Sequence, residues 1–320
     1  MSVAIESLAD EVEAKLEDTG LSITMGGEPT FIPEQPEGPE WNDAAMGPEK
    51  LGYARRVSAR LLRELYPGAL VMQVFGKQYP GEPLPRWVVL NISRKDGVAM
   101  WGHPELFLLD DEEGPHDTTA ARKLVAAIAS ELDLREYVVP CIEEGGPLDE
   151  PRGWALPLDR REDDWVSDRW PHSADEPMVL FGGQSPIGLR LPLGSLEEDR
   201  LRRALTVEET RGALHVFIPP LEFDSFHALI RVIERAAVAR RCRALVLCGY
   251  RPSETDDATL VGFAADPGVL EVNLPAARTW ADYDQTLRAI TAAAREEGLV
   301  TTRLHFNGGV QGTGGGAHVL

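Results

Sequence analysis

Three segments each place a residue able to bind a metal or move a proton after a turn or a glycine run. Glu28 comes after an apolar stretch and Gly26-Gly27; Glu271 and Asn273 come after Asp266-Pro267-Gly268; His318 comes after Gly312-Thr-Gly-Gly-Gly. Two carboxylates and one imidazole on a concave sheet would suit Mg²⁺ or Mn²⁺, which bridge a nucleotide's phosphates and neutralise charge in phosphoryl transfer. Glu271 and Asn273 lie two apart, so on a strand they point to one face. Val269, Leu270 and Val272 predict that this strand is buried on at least one face, where a carboxylate needs a partner. Each acid taken singly reads better as a solvated strand end; it is the set together that points to a ligand. Gly314, Gly315 and Gly316 let the backbone approach an anion and turn N–H groups toward it. The same run could be a frayed tail, but Ala317, Val319 and Leu320 resume an apolar pattern as if a strand begins.

Other residues offer weaker chemistry. Lys77 lies in a glycine-bearing loop without the spacing of a Walker motif, so it reads either as a phosphate contact or as a solvated lysine. Arg86 ends a proline-rich loop and could grip a substrate carboxylate or pair with Glu82. Glu40-Trp41-Asn42 supplies an acid, a stacking surface for a base or sugar, and an amide, though such trios also cap helices. His103, His116, His172, His215, His227 and His305 show no HxH or HExxH spacing, which argues against zinc. Cys141, Cys242 and Cys248 sit in apolar runs without a CxxC, as small buried hydrophobes of a reducing compartment do. Asp110 to Glu113 is read as a solvated charge run.

Composition narrows the partners. Fifty-two acidic against 32 basic side chains give a net charge of -20, which disfavours nucleic acid and anionic membranes. The apolar fraction of 43% and mean hydropathy of -0.20 are those of a water-soluble globular chain. No signal peptide and no run of about 20 apolar residues is present, so a cytoplasmic location is expected.

The elements that must position these residues follow from periodicity. Helices are predicted over 5–20, 48–66, 117–134, 224–240 and 279–297, the second opened by Pro48 and the last capped by Thr279. Strands are predicted over 21–25, 69–75, 86–93, 98–101, 137–142, 178–181, 188–191, 214–218, 244–248, 259–264, 269–273 and 299–306. Residues 143–176, with Trp154, Trp165 and Trp170, read as an irregular surface excursion packed on the body. Strand meanders interrupted by long helices point to an α+β fold over 1–320 as a single domain, with a largely antiparallel sheet and helices on one face.

Several blocks occur together in order: 25–31 (Met-Gly-Gly-Glu-Pro-Thr-Phe), Glu40-Trp-Asn42, Gly76-Lys77 with Tyr79-Pro-Gly-Glu82 and Leu84-Pro-Arg-Trp87, Ser185-Pro186 with Leu189-Arg-Leu-Pro-Leu193, Leu214-His-Val-Phe-Ile-Pro-Pro220, Asp266-Pro-Gly268 with Glu271-Val-Asn273, and Gly312-Thr-Gly-Gly-Gly with His318. In these blocks the chain resembles, over nearly its whole length, the amidoligase domain that commonly forms the C-terminal part of large bacterial transglutaminase-like proteins. The resemblance implies kinship with the carboxylate–amine ligases related to glutamine synthetase and glutamate–cysteine ligase. It implies a glutamine-synthetase-like antiparallel sheet holding ATP with Mg²⁺ or Mn²⁺ on its concave face, and amide or peptide bond formation through an acyl phosphate.

In that scheme Glu28, Glu271 and His318 resemble the metal and phosphate ligands. Lys77, Asn273 and Gly314 to Gly316 would contact the nucleotide, and Arg86, Trp41 and Asn42 the substrate. Partners would be small-molecule or peptide carboxylates and amines. The family's first strand usually offers two acids where this chain has Thr30. The family domain also continues past the histidine with a further carboxylate and arginines, so the resemblance leaves three readings: a split or truncated ligase, a site completed by another chain or a transglutaminase-like protein, or an inactive remnant. A non-catalytic binding or assembly module and a metal-dependent hydrolase using the same residues are the competing readings.

Overall fold

The computed structural model describes residues 2–82, 84–109, 117, 119–253, 256–304 and 307–319; His116, His305 and the acidic run 110–113 therefore lie outside the described residues. The chain is mixed α/β, with six α-helices among the described residues and strand pairings that are mostly antiparallel. None of those helices is long and apolar enough to cross a membrane. The chain divides into two compact units.

The first unit comprises Met1–Pro67, Arg86–Ile92 and Thr259–Leu320. Its sheet runs in the order Leu299–Val300, Thr30–Pro33, Val269–Asn273, Ala258–Asp266, Trp87–Arg94. The Thr30–Pro33 strand is buried throughout and pairs antiparallel with both neighbours, Leu270 lying opposite Phe31 and Glu271 opposite Thr30. Helix Pro48–Glu64 buries Ala54, Val57 and Leu61 at helical spacing after Pro48 fixes its first turn. Helix Trp280–Glu296 starts as predicted: Thr279 Oγ1 accepts the Asp282 N–H at 3.1 Å. A separate two-stranded ribbon pairs Met25–Gly27 with Ala317–Val319.

The second unit comprises Gly68–Pro85 and Ser93–Ala258. Its strands run Leu70–Phe75, Leu245–Gly249, Ala213–Ile218, Ala204–Thr210, Gly153–Pro157, Val139–Ile142, Met178–Val179. Three of these pairings are parallel. One joins Ala213–Ile218 to Leu245–Gly249, and helix Phe223–Ala239 makes the crossover that parallel neighbours require. Leu245–Gly249 is buried at every residue, consistent with its unbroken apolar sequence.

Three local expectations change here. Residues 188–191 do not form a strand; Ile187–Arg190 is a short helix, because buried Glu208 accepts the Ile187 N–H at 2.9 Å and Gly188 packs where a Cβ would lie 2.2 Å from the Phe217 ring. Residues 98–101 form no strand: the Met100 and Trp101 N–H groups both donate to Gly68 O. The stretch 143–176 is not irregular throughout. It contributes Gly153–Pro157 to the interior of the sheet and folds 159–166 into a hairpin, while Trp170 is buried with Nε1 donating to Leu201 O.

Candidate functional site

The site forms in the first unit, around Gly27. This glycine lies against helix Trp280–Glu296, where a Cβ would meet the Tyr283 hydroxyl at 2.7 Å. The close approach brings Met25–Gly27 beside Ala317–Val319, with Gly26 opposite His318. Two backbone bonds extend the junction: Glu28 N–H donates to Gly316 O at 2.8 Å, and Leu274 N–H donates to Gly27 O at 2.9 Å. Glu28 and His318 then face one another, Oε2 to Nε2 at 3.5 Å, with both side chains about half exposed.

The glycine run is ordered by this packing. Gly315 takes φ +102 and passes so close to the first strand that a Cβ would lie 2.6 Å from Glu28 O. Gly314 takes φ +106. Both conformations are ones L side chains rarely adopt, which accounts for glycine at each position. The N–H groups of Gly314, Gly315 and Gly316, three in succession, have no backbone acceptor among the described residues.

Thr30 links the run to the strand carrying Glu271. Its Oγ1 donates to Thr313 Oγ1 at 2.9 Å, and Thr313 Oγ1 donates to Thr30 O at 2.8 Å. Glu271 sits opposite Thr30 in the ladder, so the two side chains share a face. Its Oε1 accepts from Asn273 Nδ2 at 3.3 Å. Glu28 and His318 are thus in contact, and buried Thr30 joins the glycine run to the strand that carries Glu271. Among the described residues, no three His, Cys, Asp or Glu side chains gather closely enough to hold a metal ion by themselves.

The second-rank residues fare differently. Trp41, expected as a stacking surface, is fully buried; its Nε1 donates to Glu49 Oε2 and the Lys50 ammonium lies 5.0 Å from its ring centroid. Glu40 is buried against Gly38 and Gly47, and its Oε1 accepts the Glu49 N–H at the start of helix Pro48–Glu64. It caps that helix, favoured by the positive end of the helix dipole. Asn42 is exposed, with Nδ2 donating to Gly38 O at 3.4 Å. Arg86 pairs with Asp266 at 2.6 Å. Lys77 belongs to the second unit, on an exposed loop.

Lys50 is the residue that sequence reasoning missed. It is fully buried and donates to Ala45 O at 2.8 Å and Asp266 O at 2.7 Å. Burial pulls its amine down to about 8, partly offset by Glu40 and Asp266. Arg303 closes the same turn from the other side, donating to Trp41 O and Gly268 O. Gly268 has φ +74 and leaves no room for a Cβ, which would lie 2.8 Å from Asn42 O. These contacts fix the turn from which Val269–Asn273 emerges, so the 40–42, Arg86 and 266–268 blocks together position Glu271. The signal was available: Lys50, Ala54, Val57 and Leu61 share the buried helix face.

The fold is thus a mixed α/β architecture whose first unit presents a glutamate, an imidazole and a glycine strip side by side. Residues 2–145, 141–201 and 197–320 match the family described as "Putative amidoligase enzyme (DUF2126)". The chain belongs to that family. No curated protein matches it, and no solved structure matches it.

Proposed function

We propose that the chain is a carboxylate–amine ligase domain, dependent on ATP and on Mg²⁺ or Mn²⁺, that forms an amide or peptide bond from small-molecule or peptide substrates. The observation that carries this reading is the junction of Glu28, His318 and Gly314 to Gly316, where a carboxylate, an imidazole and backbone N–H groups adjoin. Membership of an amidoligase family supports the reaction class. The donor set fits a nucleotide-bound ion, because Mg²⁺ is commonly held by one or two carboxylates together with substrate phosphates. When bound, ATP supplies the phosphoryl group that makes a carboxylate oxygen a leaving group, the products being amide, ADP and phosphate.

The chain's own residues then have distinct tasks. Glu28 and His318 would ligate the ion, the glycine N–H groups would donate to phosphate oxygens, and Glu271, oriented by Asn273, would add a second carboxylate from the neighbouring strand. Free N–H donors already held in place lose little entropy on meeting an anion, which is how fixed dipoles stabilise a transferring phosphoryl group.

The test is ADP release from ATP and Mg²⁺ with a panel of amino acids and dipeptides, using hydroxylamine as the amine. Hydroxamate formed in step with ADP is the expected result. ATP-independent turnover, or none with any acid, would remove the ligase reading. A non-catalytic binding module is the second reading, favoured by the absence of a three-residue metal group among the described residues. It predicts nucleotide binding without ADP release.

A further inference from the structure

The second unit carries a groove of a different character. Its volume is about 560 Å³, and four of its nine lining residues are arginines: Arg161, Arg200, Arg202 and Arg203. Against them the lining offers two acids, Asp168 and Asp199. This reverses the balance of a chain in which acids outnumber bases by 52 to 32. The volume is that of an ordinary small-molecule site.

The walls are built by specific bonds. Asp168 Oδ1 pairs with Arg200 at 3.1 Å while its Oδ2 accepts the Leu201 N–H at 3.1 Å, so this carboxylate braces the wall. Buried Trp170 grips the same segment through Leu201 O at 2.9 Å. Arg203 is held by Asp159 at 3.1 Å. One nitrogen of Arg202 donates to Leu196 O at 2.7 Å, while the side chain stays exposed. Arg161, exposed on the 159–161 strand, has no ion-pair partner among the described residues. A guanidinium has five N–H donors in a rigid fork, so each braced arginine keeps donors free, and Arg161 and Arg202 keep most of theirs.

We propose that this groove binds a compact polyanion, a ligand bearing two or more carboxylate or phosphate groups. Paired N–H donors recognise both groups in the same bidentate way. Arg200 and Arg203 would meet the ligand already oriented, and Arg161 and Arg202 would close on it. The groove lies wholly within the second unit, so the proposal does not rest on the ligase reading.

Calorimetric titration of the full chain with citrate and, separately, with pyrophosphate tests it, at low ionic strength and in EDTA so that metal-dependent nucleotide sites are silent. Arg161→Gln with Arg202→Gln is the informative double variant, because both side chains are exposed, with its urea midpoint measured alongside; Arg122→Gln is the control. At least one anion should bind, weakening about tenfold or more in the double variant and unchanged in the control. Binding of citrate alone identifies a carboxylate ligand, and of pyrophosphate alone a phosphate ligand. Absence of heat with both anions at about 10 mM, or equal affinity in wild type and double variant, would overturn the proposal.

Discussion

His318 and Glu28 come from opposite ends of the chain and meet with Nε2 3.5 Å from Oε2, across the ribbon that pairs Met25–Gly27 with Ala317–Val319. Both side chains are about half exposed, so the pair contributes little to stability. Its placement beside the glycine strip is the geometry on which the proposed binding role rests.

The close approach at Gly315 has a direct consequence. In Gly315→Ala the new Cβ would press on Glu28 O and the residue would keep a positive φ. The variant should lose roughly 1–3 kcal/mol in urea unfolding. Amide exchange at Glu28, whose N–H is held by Gly316 O, should accelerate with it. Wild-type stability together with wild-type exchange at Glu28 would show that the strand is not packed as described.

Lys50 gives a pH signature. Below about pH 8 its amine is protonated in the folded and unfolded chain alike; from about 8 toward 10.5 the folded chain releases the proton first. The unfolded state then binds more protons, so stability rises with pH through that window. Lys50→Met should lose roughly 1–3 kcal/mol at pH 7, since Ala45 O and Asp266 O lose their donor. Urea unfolding at pH 7.5 and 9.5 should show the gap between wild type and Lys50→Met widening in favour of wild type. A gap that narrows would contradict the burial of the ammonium.

In the second unit, Arg190 is buried and makes two bonds to Glu143, at 2.8 and 2.9 Å, while also donating to Ser185 O and Phe181 O. The Arg190 hydrogen bond holds the Glu143 carboxyl below its ordinary range. Its stabilisation is therefore present near neutrality and lost as pH falls through the folded-state value. Glu143→Ala should lower stability at pH 7, by an amount reduced by solvent screening of the part-exposed carboxylate, and by less at acid pH. An equal loss at both pH values would count against the pairing.

The cysteines should be inert in the folded chain. All three are buried. Desolvation pushes Cys141 up to about 12, Cys242 to about 11 and Cys248 higher still. An aromatic disulfide reagent at pH 8 should titrate no thiol until denaturant is added, and rapid labelling of a native thiol would refute this.

Much of this was legible in sequence where one local signal dominates. Pro48 and the Thr279 cap mark helices because their chemistry acts within one turn, and the Pro267-Gly268 turn announces the strand bearing Glu271. Errors arose where a distant partner decides. The 187–190 helix depends on Glu208 from another strand, and Gly153–Pro157 reads as loop until its two neighbours pair with it. At the site, the Glu28, Glu271 and His318 blocks were visible as strand ends, but their clasp through Thr30 and Thr313 spans 283 positions and has no local trace. The burial of Trp41 and the Arg86–Asp266 pair likewise have no local trace, because the partners lie far along the chain or in the core.

The central claim is that Glu28, His318 and the glycine strip bind nucleotide phosphate together with a divalent ion. Calorimetric titration of wild type, Glu28→Gln and His318→Ala with ATP, in Mg²⁺ and in EDTA, tests it most directly. The account predicts Mg²⁺-dependent binding by wild type, weakened about tenfold or more in each variant while the unfolding midpoint stays near that of wild type. Absence of ATP binding by wild type, or equal affinity in all three proteins, would contradict it.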